Sequence, residues 1–168
     1  TEKVWGEALH DFHDFTPTVA NVRPTSKEEI NIISSDSREK PKIKMNYLST
    51  EDDRKVAADG LRLVRDIVFQ TDTFKKYKPE ELRPGSQFQS DEELVQEGSK
   101  FTQTIFHPVG TCKMGNDENS VVNHELKVHG LQNLRIIDAS IMPNITSGNT
   151  NAPTIMIAEK GADMILGR

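Results

Sequence analysis

The alternation of apolar and polar positions divides the chain into a β-patterned first part, a helical middle and an end crowded with motifs. From Phe15 to Arg23, Ile30 to Ile33 and Ile43 to Tyr47 the residues turn toward β-branched types that alternate with polar ones, the period expected of strands. The last two runs are joined by Ser34 to Pro41, a polar loop ending in proline, and read as an antiparallel pair. Residues 1–15, with Trp5, His10, Phe12, His13 and Phe15, have no clean period and read as helix or loop. Thr50-Glu51-Asp52-Asp53 supplies an N-cap and an acidic first turn, and Val56, Gly60, Leu63, Val64 and Ile67 follow at helical spacing. Together they predict a helix from about 51 to 69. Thr71 to Gln89, with Pro79, Pro84 and Gly85, reads as a surface connection. Ser90 and Glu93 then form the S-x-x-E capping box of a second helix that ends near Phe101.

Beyond Gly115 a polar turn leads to Val121-Val122 and Lys127 to Gly130, short strands in expectation. The apolar run Leu134-Arg135-Ile136-Ile137-Asp138 predicts a buried strand, whose polar C-terminal end is where open α/β sheets place their ligands. Pro153 to Leu166 carries Ile155, Ala158, Ala162 and Ile165 on one helical face, with Gly167 beyond its end and its N-terminus at Asn151. The fold class expected is therefore α+β: an antiparallel sheet with helices, then a C-terminal strand and helix.

Composition narrows the partners. With 168 residues there is enough chain for about one domain with a core. The 26 acidic residues exceed the 21 basic ones, and no Lys/Arg stripe interleaved with aromatics occurs, which argues against nucleic acid and for a small molecule. Cys112 is the single cysteine, so no intramolecular disulfide is possible. A reducing, cytoplasmic setting is expected, with association at a membrane surface left open. No apolar run is long enough to span a bilayer. The chain starts without Met inside what reads as an element, and a fragment of a longer protein is expected.

Several side chains could carry chemistry, and each also has a structural reading. His107, followed by Pro108 and then Gly110-Thr111, sits on a turn with little freedom. An imidazole titrating near about 6.5 can serve there as a general base, or simply cap the turn. Asn151, at a helix start, can be an N-cap or a hydrogen-bonding group beside a positive helix end. Asp138 can hold a ribose or ribityl hydroxyl, or open a turn. Cys112 and Met114, with His107, His124 and His129 nearby, suggest a soft metal, but the spacing fits no closed zinc pattern and no metal site is assigned. Cys112 suits a small buried hydrophobe equally. Asn144-Ile145-Thr146 is a glycosylation triplet, meaningful only in a secreted protein.

Three blocks taken in order carry a resemblance: His107-Pro108-Val109-Gly110-Thr111-Cys112-Lys113-Met114-Gly115; Val128 to Leu131 with Leu134 to Pro143; and Gly148-Asn149-Thr150-Asn151-Ala152-Pro153-Thr154. They resemble the C-terminal part of the glucose-methanol-choline (GMC) flavin oxidoreductases. Arg23-Pro24-Thr25-Ser26 and Pro41 to Asp53 resemble it too, so the likeness covers roughly residues 15 to 168, departing locally at Lys27-Glu28-Glu29. The resemblance implies that residues 1–105 end a substrate-binding domain and that 106–168 close an FAD-binding domain, FAD being the cofactor and an alcohol the substrate. It also implies a partner segment upstream, because the G-x-G-x-x-G fingerprint that opens such proteins is absent here. His107 matches the family's active-site base, and Asn151 its partner, which is Asn in choline-oxidising members. Asp138 and Ala139 match positions that hold the ribityl and pyrophosphate region, and Asn151, Ala152 and Pro153 the helix start facing the flavin. Other outcomes the same blocks allow are a non-catalytic chain unable to hold FAD, a lyase and a photodecarboxylase.

Overall fold

The computed structural model describes residues 10–168. Trp5 and the rest of the first nine residues lie outside it. The chain forms helices with one small antiparallel sheet, arranged in two compact units. One comprises Leu48–Gln103 with the chain up to Asn21; the other comprises Val22–Tyr47 with Thr104–Arg168.

In the first unit, helix α1 (Glu51–Gln70) starts where the cap predicts: the Asp53 amide donates to Thr50 Oγ1 at 3.3 Å. Asp53 itself is buried, and its carboxylate accepts from Asn21 Nδ2 at 3.1 Å. The buried side of α1 runs through Ala58, Gly60 and Val68. The face expected from the sequence is only partly that one, since Val56, Leu63 and Ile67 are exposed. The helix has apolar residues on two sides, and within this unit residues 91–99 and the incoming chain cover only one of them.

The run Phe15 to Arg23 is not a strand. Pro17 removes a ladder donor, and the segment is held by side chains instead. Phe15 stacks on Phe74 at 5.4 Å, and Val19 lies so close to Gly60 that an added Cβ would sit 2.6 Å from its Cγ1.

The connection after α1 contains a single helical turn, α2 (Asp72–Lys75), and is stapled by Arg65. Its guanidinium donates to both Glu81 carboxylate oxygens, at 3.0 and 2.8 Å, and to the carbonyls of Gly85 and Phe88. A forked pair of this kind, mostly shielded from water, holds a loop better than the exposed pairs elsewhere, which contribute roughly 0–1 kcal/mol each. Helix α3 (Asp91–Ser99) follows the complete Ser90/Glu93 capping box and buries Leu94 fully.

In the second unit, β1 (Glu29–Asn31) pairs antiparallel with β2 (Lys42–Lys44), with Ile30 opposite Ile43. The hairpin is the expected one but shorter, because Asn46 turns into the left-handed region (φ 49°) and ends pairing. The core of this unit is Val122, Leu126, Ile141, Met142 and Ile157. Where short strands are expected at Val121-Val122 and Lys127 to Gly130, only Val122, Lys127 and Val128 make isolated bridges. The expected strand Leu134 to Asp138 is likewise reduced to one bridge, Lys127 to Arg135, and Leu134 is 47% exposed. Its backbone is paired on one side only, through Val128 N–H to Leu134 O and Ile136 N–H to Leu126 O.

Helix α4 (Asn151–Leu166) ends at Gly167, whose φ of 70° is the left-handed stop glycine favours. Ile157 and Gly161 face the core, whereas Ile155, Ala158, Ala162 and Ile165, the face expected to be buried, are exposed. Gly161 is the contact point: a Cβ there would meet Ile137 Cγ2 at 2.4 Å. Alanine at 161 gains about 1 kcal/mol of helix propensity but incurs overpacking of about 1–3 kcal/mol. Gly161→Ala is therefore expected to lower the urea midpoint, with partial recovery when Ile137→Ala is added. An undiminished midpoint for Gly161→Ala shows that the approach is not tight.

Candidate active site

The site grows from one loop laid against another. Cys112 N–H donates to Ser140 O at 3.0 Å and Met114 N–H to Ile141 O at 2.8 Å. Gly110, with φ 89°, passes so near Met142 that an added Cβ would stand 3.3 Å from its carbonyl oxygen. The φ calls for glycine at this position, and the close approach adds to that preference. The 107–115 loop is thereby fixed on the segment that carries Asp138 and Ala139. Asp138 Oδ1 accepts from Ser140 N–H at 2.7 Å and opens the one-turn 3-10 helix Ala139–Ile141, so the turn reading of Asp138 holds. The side chain remains exposed, while Ala139 packs half-buried on the core.

His107 is half-buried between two constraints. Phe106 before it is left-handed (φ 63°) and 80% exposed, and Pro108 after it restricts His107 to extended backbone. A bulky residue at positive φ costs energy of order 1–3 kcal/mol and tends to mark a working site. The ring is anchored by Nδ1, 2.9 Å from Oγ1 of Thr150. Thr150 is 7% exposed and is the N-cap residue of α4, yet its backbone is helical (φ −90°, ψ −1°) and its side chain caps no amide. Thr150 was not anticipated from the sequence; its only signal is that it precedes Asn151 at a helix start.

Asn151 is thus the first residue inside α4, not its N-cap. Its exposed side chain bonds to no other described residue, and Ala152 beside it is also exposed. Pro153 brings no amide proton. The helix start offers the amides of Asn151 and Ala152, a positive end able to receive an anionic or electron-rich group. Of the residues singled out, His107 is tied to Thr150, the neighbour of Asn151, and the segment that carries Asp138 and Ala139 is joined to the His107 loop by the backbone bonds of Ser140 and Ile141. Cys112 is half-buried. Among the described residues no three His, Cys, Asp or Glu side chains form a metal-binding group. A hollow lined by Arg65, Phe69, Pro79 and Gln89 does not include His107, and Arg65 there is spent on Glu81.

Comparison with known proteins matches residues 24–158 to the model of the C-terminal domain of GMC oxidoreductases. The chain belongs to the GMC oxidoreductase family. It is 49% identical over 156 residues to oxygen-dependent choline dehydrogenase of Pseudomonas savastanoi pv. phaseolicola (strain 1448A / Race 6), covering 93% of this chain and 27% of that protein. Among solved structures, pyridoxine 4-oxidase from Mesorbium loti aligns with a TM-score of 0.80 and 33% identity, over 88% of this chain and 28% of that one. An FAD-dependent oxidoreductase from Chaetomium thermophilum aligns with a TM-score of 0.81 and 30% identity, over 87% and 25%. The chain therefore spans little more than a quarter of the length of such relatives. No helix among the described residues is long and apolar enough to cross a membrane.

The turn that follows the 107–115 loop closes on itself through Asp117, which accepts from the Ser120 hydroxyl at 2.7 Å, from Lys113 Nζ at 3.0 Å and from the Asn119 amide at 2.9 Å. The Ser120 bond, then Lys113, then the amide hold its carboxyl down to about 2, from an ordinary 3.8. A depressed carboxylate contributes stability that is present above its unfolded pKa and lost as pH falls through the folded one. The turn is accordingly expected to loosen only as pH drops from about 4 toward 2, and Asp117→Asn to abolish that step. A carbon NMR titration of the Asp117 carboxyl checks it, and a midpoint at the ordinary value contradicts the bonding described.

Proposed function

We propose that this chain works as the C-terminal part of an FAD-dependent alcohol oxidoreductase of the choline-dehydrogenase kind. In this reading residues 106–168 close the FAD-binding domain and 1–105 belong to the substrate side. That division by role differs from the division by compactness, since residues 22–47 group with 104–168. The observation that carries the proposal is the anchored imidazole: with Nδ1 of His107 held by buried Thr150, Nε2 is left for a substrate proton. The names of the relatives, choline dehydrogenase and FAD-dependent oxidoreductase, supply the reaction class.

The residues present suit FAD. Asp138 is an exposed carboxylate able to accept from a sugar hydroxyl beside Ala139, and the start of α4 at Asn151, Ala152 and Pro153 carries no side-chain cap, so its amides are available to an electron-rich edge. Bound flavin would supply the hydride acceptor. His107 takes the alcohol's hydroxyl proton at Nε2, and Asn151 donates its side-chain N–H to the same oxygen as negative charge gathers there. Exposure of Ile155, Met156, Ile165 and Leu166 along α4 supports a longer protein whose remaining chain covers them.

In the full-length enzyme, His107→Ala is expected to slow flavin reduction by roughly 10²–10⁴-fold with FAD retained. Asn151→Ala removes one neutral hydrogen bond and is expected to cost on the order of 10²-fold or less. Anaerobic stopped-flow reduction measures both. A His107→Ala enzyme that reduces its flavin at the wild-type rate returns His107 to a purely structural role.

A further inference from the structure

Thr150 departs from what its position in the fold calls for. An N-cap threonine normally adopts extended backbone and lends its oxygen to the second or third amide of the helix. Thr150 is helical at φ −90° and caps nothing with its side chain. Its carbonyl serves the helix, accepting the Thr154 amide at 3.0 Å and the Thr154 hydroxyl at 2.6 Å. Its hydroxyl, in a residue 93% shielded from solvent, goes across 43 positions of sequence to the imidazole of His107. A buried hydroxyl withdrawn from helix capping and given to one nitrogen of a ring is an arrangement with an electronic consequence.

We infer that Thr150 is a positioning residue for His107: its Oγ1 accepts the Nδ1 proton, which selects the tautomer with a bare Nε2 and supports the imidazolium once Nε2 is protonated. The inference rests on the reading of His107 as the proton acceptor. The alternative direction, a Thr150 O–H donated to Nδ1, leaves the proton on Nε2 and makes the neutral ring a donor, unable to take a proton from an alcohol. Only the first direction serves both protonation states, because the imidazolium has no bare nitrogen to accept from threonine. Backbone constraint at Phe106 and Pro108 sets where the ring is; the hydroxyl sets which nitrogen faces outward.

Two readouts test this in the full-length holoenzyme. Thr150→Val keeps the shape and removes the acceptor. Flavin reduction at neutral pH is expected to fall roughly 10- to 100-fold, the factor one hydrogen bond to a charged group allows, with the acid limb of its pH profile moved to lower pH. Thr150→Ser restores both. In [15N]histidine-labelled enzyme, the signals absent from His107→Ala identify His107, and the neutral wild-type ring is expected to carry its proton on Nδ1. A neutral ring protonated on Nε2, or a folded Thr150→Val enzyme with the wild-type pH profile, overturns the inference. If Thr150→Val does not fold, the tautomer of the wild-type ring still decides. Failure of the base reading looks different: His107→Ala then reduces flavin normally, whatever the Thr150 variants do.

Discussion

The candidate site depends first on the contact of two backbone segments, 110–114 and 140–143. Neither is in a sheet, so the amides of Cys112 and Met114 have no ladder to satisfy them and find partners in the carbonyls of Ser140 and Ile141. The approach is closest where Gly110, without a Cβ, takes a φ that other residues avoid. Once these bonds are made, the side chains of both segments can turn inward together, and Ile141, Met142, Val109 and Met114 enter one core. Polar residues are left at the rims: His107 just before one segment, Asp138 just before the other. The apolar contacts supply the stability, whereas the backbone bonds fix the register and hence the placement of the polar groups.

Helix α4 joins the same core from its other end. Ile157 and Gly161 anchor it, with Gly161 seated on Ile137, so the helix start is held without needing a capping side chain. Its outward side carries Ile155, Met156, Ile165 and Leu166 exposed. In α1, too, Leu63 and Ile67 are exposed opposite the side that carries Ala58, and an apolar stripe left facing out calls for a partner surface. Both helices carry more apolar surface than this length of chain covers.

That two-sidedness also explains where sequence and structure part. Caps were legible because they are local: Thr50 and Ser90 act on amides three residues away, and α1 and α3 begin where they should. The β1–β2 hairpin was legible from its alternation. The buried faces of α1 and α4 were not, since periodicity ranks faces by apolar content, and both helices have two candidates. The strand at 134–138 failed because a continuous apolar run states that a segment wants neighbours, not that it has them; here Arg135 finds one bridge. In the site, His107 and Asn151 were visible through their motifs. Thr150 was invisible because a threonine before a helix already has an ordinary explanation, and only the dihedral angles reveal that it is not used that way.

That departure bears on why the helix start is built as it is. Leaving an N-terminus without its cap costs about 1 kcal/mol, and a helical Thr150 incurs that loss although threonine is a capable cap. Threonine has another arrangement open to it, an extended backbone with its hydroxyl on the Ala152 amide. The observed one instead releases three groups from the helix at once. The Thr150 hydroxyl goes to His107, the Asn151 side chain points to solvent, and the first amides stay unspent. Pro153, the third residue of the helix, has no amide proton to satisfy, so the omission of a cap is least costly in this sequence. Stability is therefore given up at the position where released donors and a fixed imidazole lie side by side, which is the trade expected of a surface shaped for a ligand rather than for the helix itself.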